Sequence, residues 1–452
     1  MKRLVSLAAL AALLVAGAAV GRAADTSAKK LTLAQAVDAA VSDNPDLAVA
    51  ARSVDVAGAR VDSARALRLP KLSVDASLNV WNEKTEITFG PQTITAREQV
   101  TSSVSVTLAQ PLSGLAVVGK LIKVEQKGVD LARAQLSGAK LDIAARTAET
   151  YLRAMQARAG VEIAAQTVTQ LDAQAARAKA LEAGGVLAKV DLMRIDSARS
   201  QAAQQVLAAQ DGFAQALDAL AFMLGLPSGA SIETVDDLPA ALPPPPWNEQ
   251  GAMTVAAQKR PELKTASLQA DQAEGAVLVK RSDYYPNVMA IAQYQHSEGQ
   301  GSFAPSPDAA FVGVTFKWDI WDWGKRGDDM REVRGRAAQA RMTANRTKDS
   351  VAMDVRGKLR SAQTSYKQFA VAQQGLATAE EAYRIQSVRF QNGSATTLDV
   401  LDAETDVARA RLAVVNHRYE YAIALVQLAH AIGEQPLAGF TATGAAAGGE
   451  SR

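Results

Sequence analysis

Phe390-Gln-Asn-Gly-Ser-Ala-Thr-Thr-Leu-Asp-Val-Leu-Asp-Ala-Glu404 is the stretch on which this chain turns round. A helical pattern runs up to it and stops at Asn392-Gly393. Another begins within a few residues, so the spacing predicts the tip of an αα-hairpin. Gly393 supplies the left-handed backbone that ends one helix, and Thr396 or Thr397 caps the next by accepting a bond from its free N–H groups. Asp399, Asp402 and Asp406 then stand at i, i+3 and i+7, which puts three carboxylates on one helix face. Upstream, Gly184-Gly185-Val-Leu-Ala-Lys-Val-Asp-Leu-Met-Arg194 is a second copy of this tip. Asp191 follows Gly185 by the same interval that separates Asp399 from Gly393.

Long helices lead away from both tips. No proline interrupts the chain from Gly119 to Glu182, a stretch that spans about 95 Å as a helix. Ile122, Val129, Leu136 and Ile143 recur every seven residues, as do Val124, Leu131, Ala145 and Leu152 with Gly138 between, and the two series lie about 200° apart. Such a helix packs on two opposite sides, as a stave in a wall does; the core of an ordinary bundle is the alternative. Residues 188–224 return from the first tip, and 328–391 and 398–432 form the second hairpin.

Elsewhere the period is two. After Pro70, Leu72, Val74, Ala76, Leu78 and Val80 alternate with polar residues, and Val104, Val106 and Leu108 alternate with Ser103, Ser105 and Thr107. These predict a β-hairpin over about 70–109, with a long exposed loop around Gly90-Pro91 between its strands. A second hairpin is expected over about 286–319. Arg260-Pro261-Glu262-Leu263 repeats Asn44-Pro45-Asp46-Leu47, and Pro286 follows Pro261 at the interval that separates Pro70 from Pro45, so the chain is an internal duplication. The expected divisions are a secretory signal over 1–23, a first repeat over 24–251 ending in a Pro-rich linker, a second repeat over 252–436, and a disordered tail over 437–452. A membrane anchor is the alternative for residues 1–23.

The chain has 452 residues, is 48% hydrophobic and carries a formal charge of +2, which gives no general attraction to nucleic acid. Cysteine is absent, excluding disulfides, thiolate metal sites and an acylated N-terminal cysteine. After the signal no apolar run reaches the roughly 20 residues of a membrane-spanning helix. A membrane location therefore requires a β-barrel, and four strands close one only with strands from other chains. Three chains would supply twelve. Tyr284, Tyr285, Trp318, Trp321 and Trp323 gather where the second β-hairpin would meet the membrane interface, as an aromatic girdle does; a plug between helices and strands is the alternative.

These residues carry a resemblance. Leu33-Ala34-Gln35-Ala36-Val37, Asn44-Pro45-Asp46-Leu47, Leu69-Pro70-Lys71-Leu72, Gln110-Pro111-Leu112-Ser113, Arg260-Pro261-Glu262-Leu263, Trp321-Asp322-Trp323-Gly324 and Gly393 through Glu404 occur in this order. The chain resembles the outer-membrane efflux protein family, the TolC-type channel-tunnels, over nearly all of residues 24–436. The resemblance implies a mainly α fold in which long helical hairpins form a periplasmic tunnel and four strands per chain join a trimeric twelve-stranded outer-membrane barrel. It implies a homotrimer in outer-membrane lipid, working with a periplasmic adaptor and an inner-membrane RND or ABC transporter in efflux or type I secretion, without a cofactor. It also implies that Asp399 and Asp402 face the pore axis at the entrance; acids that merely complement the helix dipole are the alternative. Where the family's type member has a tyrosine and an arginine helping to close the entrance, this chain has Phe390 and Ala395, while the acidic Asp191 is kept. A clasp joining Arg194 or Lys189 to Asp399 or Asp402 is therefore expected.

Catalysis is not expected. His296, His417 and His430 are scattered, and neither a phosphate loop nor an HExxH pattern occurs. The competing reading is a soluble periplasmic coiled-coil scaffold without a pore, which leaves the strands unexplained.

Overall fold

The computed structural model describes residues 29–185, 187–227, 230–239, 242–301 and 306–441. The expected signal over 1–23 lies outside the described residues, as do residues 442–452. The elements run β1 (Lys29–Leu31), α1 (Leu33–Asp43), α2 (Pro45–Ala66), β2 (Lys71–Val80), β3 (Thr85–Phe89), β4 (Gln92–Arg97), β5 (Val100–Pro111), α3 (Gly114–Ala183) and α4 (Lys189–Met223). There follow β6 (Ile232–Thr234), α5 (Glu249–Lys259), α6 (Pro261–Lys280), a 3-10 turn at Arg281–Tyr284, β7 (Asn287–Glu298), β8 (Asp308–Lys317), α7 (Lys325–Gln391), α8 (Thr397–Ala431) and α9 (Ala438–Thr441).

The duplication is visible in the lengths. Helices α1 and α5 each have 11 residues and α4 and α8 each have 35, while α3 has 70 and α7 has 67. Both α2 and α6 open on a proline at the first helical position, where a missing N–H costs nothing. Thr32 caps α1 through a reciprocal box with Gln35, and Asn248 caps α5. At 70 residues α3 is about 105 Å long. It packs against α4 on one side and α8 on the other, α8 packs against α7, and the four long helices stand in the row α4–α3–α8–α7. The two-sided apolar pattern is thereby satisfied within one chain. No helix among the described residues is long and apolar enough to cross a membrane.

The main core lies part-way along this row. Tyr151 and Leu152 of α3, Tyr419, Leu425 and Val426 of α8, and Leu33, Ala36, Val37 and Ala40 of α1 are fully or almost fully buried together. The Pro-rich segment closes this core. Its β6 pairs in parallel with β1, and the Tyr151 hydroxyl joins the two by reaching Leu31 O at 2.8 Å and Val235 O at 2.6 Å. The expected disordered tail is corrected at its start, because 438–441 form α9 and Leu437 and Phe440 pack against this core.

Four strands form one antiparallel sheet in the order β2-β5-β7-β8, joining the two predicted hairpins through β5 and β7. The register sets Leu72 beside Leu108, Leu108 beside Ala292, and Ala292 beside Val312. One face therefore carries apolar rows and the other Ser73, Thr107 and Gln293. The apolar face is bare: Val312 is 85% exposed and Val80 is 71% exposed. Strands β2 and β8 end the sheet. Their outer edges carry no strand partner among the described residues. The expected loop between the first two strands is corrected too, since β3 and β4 form a hairpin of their own within it.

Candidate functional site: the hairpin tips and the sheet corner

Both tips reverse on a glycine with positive φ, +72° at Gly185 and +69° at Gly393. At the second tip the Gly393 N–H donates to Phe390 O at 3.0 Å and the Ser394 N–H to Arg389 O at 2.8 Å, the paired bonds that terminate a helix in a left-handed residue. Thr396, not Thr397, is the cap of α8. Its hydroxyl accepts from the Asp399 N–H at 3.2 Å, while its own N–H and O–H donate to Asp399 Oδ2 at 2.7 Å each. Thr397 is buried instead. The Thr396 N–H, then the Thr396 hydroxyl, and then the positive charge of Arg389 hold the Asp399 carboxyl below the usual carboxylate range. The Thr-x-x-Asp spacing is the signal that forecasts this box.

Asp399, Asp402 and Asp406 are exposed and line one groove of about 690 Å³ between α7 and α8, with Gln374, Thr378 and Gln386 opposite. Asp406 is engaged by Arg409 at 2.9 Å, whereas Asp402 has no ion-pair partner among the described residues. The first tip is arranged differently. Ala188 precedes α4 without a side-chain cap, and Asp191 pairs with Arg194 at 3.2 Å. Within one chain Arg194 therefore answers Asp191 rather than Asp399 or Asp402, and Lys189 is exposed with no ion-pair partner among the described residues.

Asp191, Arg194, Phe390, Gly393 and Ala395 come together around a cavity of about 880 Å³ between the two tips, with Arg177, Tyr383 and Val400. Behind it lies a residue the periodicity did not single out. Glu404 of α8 is 3% exposed, its Oε2 accepts from Gln174 Nε2 of α3, and its Oε1 has no hydrogen-bond partner among the described residues. Burial pushes its pKa up, against the bond from Gln174, which lowers it.

At the other end of the long helices, Tyr284 and Tyr285 stand between α6 and β7, and Trp318, Trp321 and Trp323 between β8 and α7. Within one chain these five rings are not packed into a core. Trp323 is 88% exposed and Trp321 is 74% exposed, and their rings meet edge to face at 5.8 Å. Arg326 ties this corner together, donating to Asp322 Oδ2 at 2.6 Å and to Ile320 O at 3.3 Å, with its guanidinium 5.7 Å from the Tyr284 ring. The three histidines stay apart. His296 is on β7, His417 pairs with Glu420 and His430 with Asp142, and the described residues hold no cluster suited to a metal ion.

The family model for outer membrane efflux proteins matches residues 36–226 and 253–434, one segment for each repeat. Among relatives, the outer membrane protein TolC of Vibrio cholerae is 21% identical over 406 residues, covering 89% of this chain and 90% of that protein. The cobalt-zinc-cadmium resistance protein CzcC of Cupriavidus metallidurans is 24% identical over 410 residues, covering 88% of this chain and 89% of that protein. The crystal structure of the outer membrane protein VceC from Vibrio cholerae superposes with a TM-score of 0.74 at 20% identity, covering 89% of this chain and 96% of that one.

Proposed function

The chain belongs to the outer membrane efflux protein family, and from that premise we propose that three copies close one channel-tunnel with an acidic inner mouth. It is an outer-membrane efflux channel, not a soluble scaffold. The observation that carries the trimer is the sheet. Strands β2 and β8 leave two open edges beside a bare apolar face, and an unpaired backbone group in hydrocarbon costs several kcal/mol. Pairing β8 of each chain with β2 of the next gives twelve strands and no edge. The helix row supports the same assembly. Its two outermost members, α4 and α7, expose Met193, Leu207, Met342, Met353 and Val371. Setting α4 of one chain against the tip-proximal half of α7 in the next covers Met193 and Leu207, while Met342 and Met353 lie beyond the reach of α4 and Val371 lines the α7–α8 groove.

In this assembly the bare sheet face meets lipid, Tyr284, Tyr285, Trp318, Trp321 and Trp323 sit at the periplasmic boundary of the outer membrane, and the long helices extend the pore across the periplasm. Asp399 and Asp402 of three chains place six carboxylates around the mouth. Close carboxylates in a narrow aqueous entrance concentrate cations, repel anions and hold multivalent cations long enough to obstruct flow. Arg194 and Lys189, with Asp191, Phe390 and Ala395 around them, are placed to reach the acids of a neighbouring chain and bias the mouth toward closure. The tips offer their far side to a periplasmic adaptor that links the channel to an inner-membrane RND or ABC transporter. No catalytic step enters this account. Mass measurement of the detergent-solubilised protein tests the assembly: three chains per particle are expected, and a stable monomer would overturn it.

A further inference from the structure

We propose that Glu404 is a proton-operated latch between the two helical hairpins, favouring a closed mouth while it carries a proton and loosening it on ionisation. The inference rests on the channel reading above. Each long helix packs more extensively against its own hairpin partner, α3 against α4 and α8 against α7, than α3 does against α8, and near the tips Ala175, Ala178 and Ile195 cluster with Leu187 and Leu192 of the first hairpin and Leu401 of the second. A motion that changes the mouth therefore shifts hairpins as units and works against the contact of α3 with α8. At that contact stands a carboxyl group with one oxygen accepting from Gln174 and the other buried without a hydrogen-bond partner among the described residues. An ionised carboxylate in this position lacks the water and donors that would solvate its second oxygen, and protonation removes the charge.

Among the described residues no neighbouring charge relieves it. On α3 the group facing it is Gln174, and from α7 the Tyr383 hydroxyl lies 3.5 Å from Gln174 Nε2. Arg177 and the Asp191–Arg194 pair line the adjoining cavity, which Glu404 does not line. Asp172 of α3 is held by Arg199 of α4 at 3.3 Å. On α8 itself Asp399, Asp402 and Asp406 line the α7–α8 groove on another face. Burial is the larger influence on Glu404 and the bond from Gln174 the smaller, opposing one.

The direction of the switch follows. Parting α3 from α8 hydrates Glu404 and returns it to an ordinary glutamate, so opening releases a proton from each chain. The closed contact is fully favoured below the ordinary glutamate pKa and loses that advantage as pH rises through the raised value. Each unit of that interval changes the ratio of open to closed tenfold per chain.

The test uses the full trimer in planar bilayers, with pH stepped on the tip side. Asp399→Asn and Asp402→Asn are present throughout, so that titration of the mouth acids does not contribute. With Glu404 intact the open fraction is expected to rise with pH. Glu404→Gln, a neutral group of the same shape, is expected to stay at the low-pH level throughout. Gln174→Leu removes the bond that favours the ionised form and shifts the midpoint to higher pH. As pH is lowered, infrared spectra are expected to gain a protonated carboxyl band at higher pH than exposed acids give, and Glu404→Gln lacks that component. An unchanged pH profile in Glu404→Gln, or no difference in that band, overturns the latch. If no variant forms conducting pores, it is the channel reading that fails.

Discussion

At the first tip Gly185 turns the chain at φ +72° and α4 starts from Ala188 without a side-chain cap, while at the second Gly393 turns it at +69° and Thr396 closes a box with Asp399. The acids differ in the same sense. Asp191 is neutralised by Arg194 on its own helix, whereas Asp402 stands free among the described residues and Asp399 is held in its ionised form by Thr396. Duplication kept the backbone that makes a tip and let the chemistry on it diverge. One tip is capped and acidic; the other is uncapped and self-paired.

If the backbone is the shared part, breaking the turns should cost both tips alike and more than any polar change. Gly393→Val and Gly185→Val each force a β-branched residue into the left-handed region, at a cost of about 1–2 kcal/mol. Hydrogen exchange at amides of the adjoining helix ends should accelerate roughly tenfold in both. A tip that tolerates valine would mean that its turn has another support. The caps should separate the tips. Thr396→Ala is expected to loosen the start of α8 by about 1 kcal/mol, while Ala188→Ser should stabilise the start of α4 by a similar amount. Equal responses of both tips to cap removal or addition would erase the contrast. The smallest effect belongs to the charge pair. Arg194→Ala with Lys189→Ala removes exposed interactions worth at most about 1 kcal/mol each, so channel opening should become easier while the tip stays folded. Unchanged conductance would place the clasp elsewhere.

The large pattern of the fold was legible because it repeats. The seven-residue series in α3, the alternation from Leu72 to Val80, and the Pro45–Pro70 and Pro261–Pro286 intervals each extend over enough residues to override local ambiguity. Short features were not legible. Strands β1 and β6 have three residues each, too few for a period, and it takes the folded chain to show them paired in parallel with the Tyr151 hydroxyl bridging their ends. The hairpin of β3 and β4 left a trace in Gly90-Pro91 and in the alternation of Ile87 and Phe89 with threonine and glutamate, but its polarity reads as loop. At the tip, the spacing put Asp399, Asp402 and Asp406 on one groove and left open how each carboxylate is held. Glu404 could not be found this way. Its place between Val400 and Val407 puts it on the apolar stripe of α8, but a charged side chain there reads as a solvated acid until α3 is seen to pack over it.

Ion selectivity in planar bilayers tests the central claim most directly, because it requires a continuous pore wall built by three chains and an acidic mouth at once. The wild-type trimer is expected to pass cations in preference to anions and to be blocked by divalent or trivalent cations added at the tip side. Because the Asp399 pKa is depressed, its share of that preference is present above the ordinary carboxylate pKa and fades only as pH falls through the lower value. Asp402→Ala should weaken selectivity and block while sparing the α8 cap, and Asp399→Ala with Asp402→Ala should reduce both further without affecting trimer assembly. A double variant with wild-type selectivity and wild-type block would contradict the account, leaving these acids as helix caps alone.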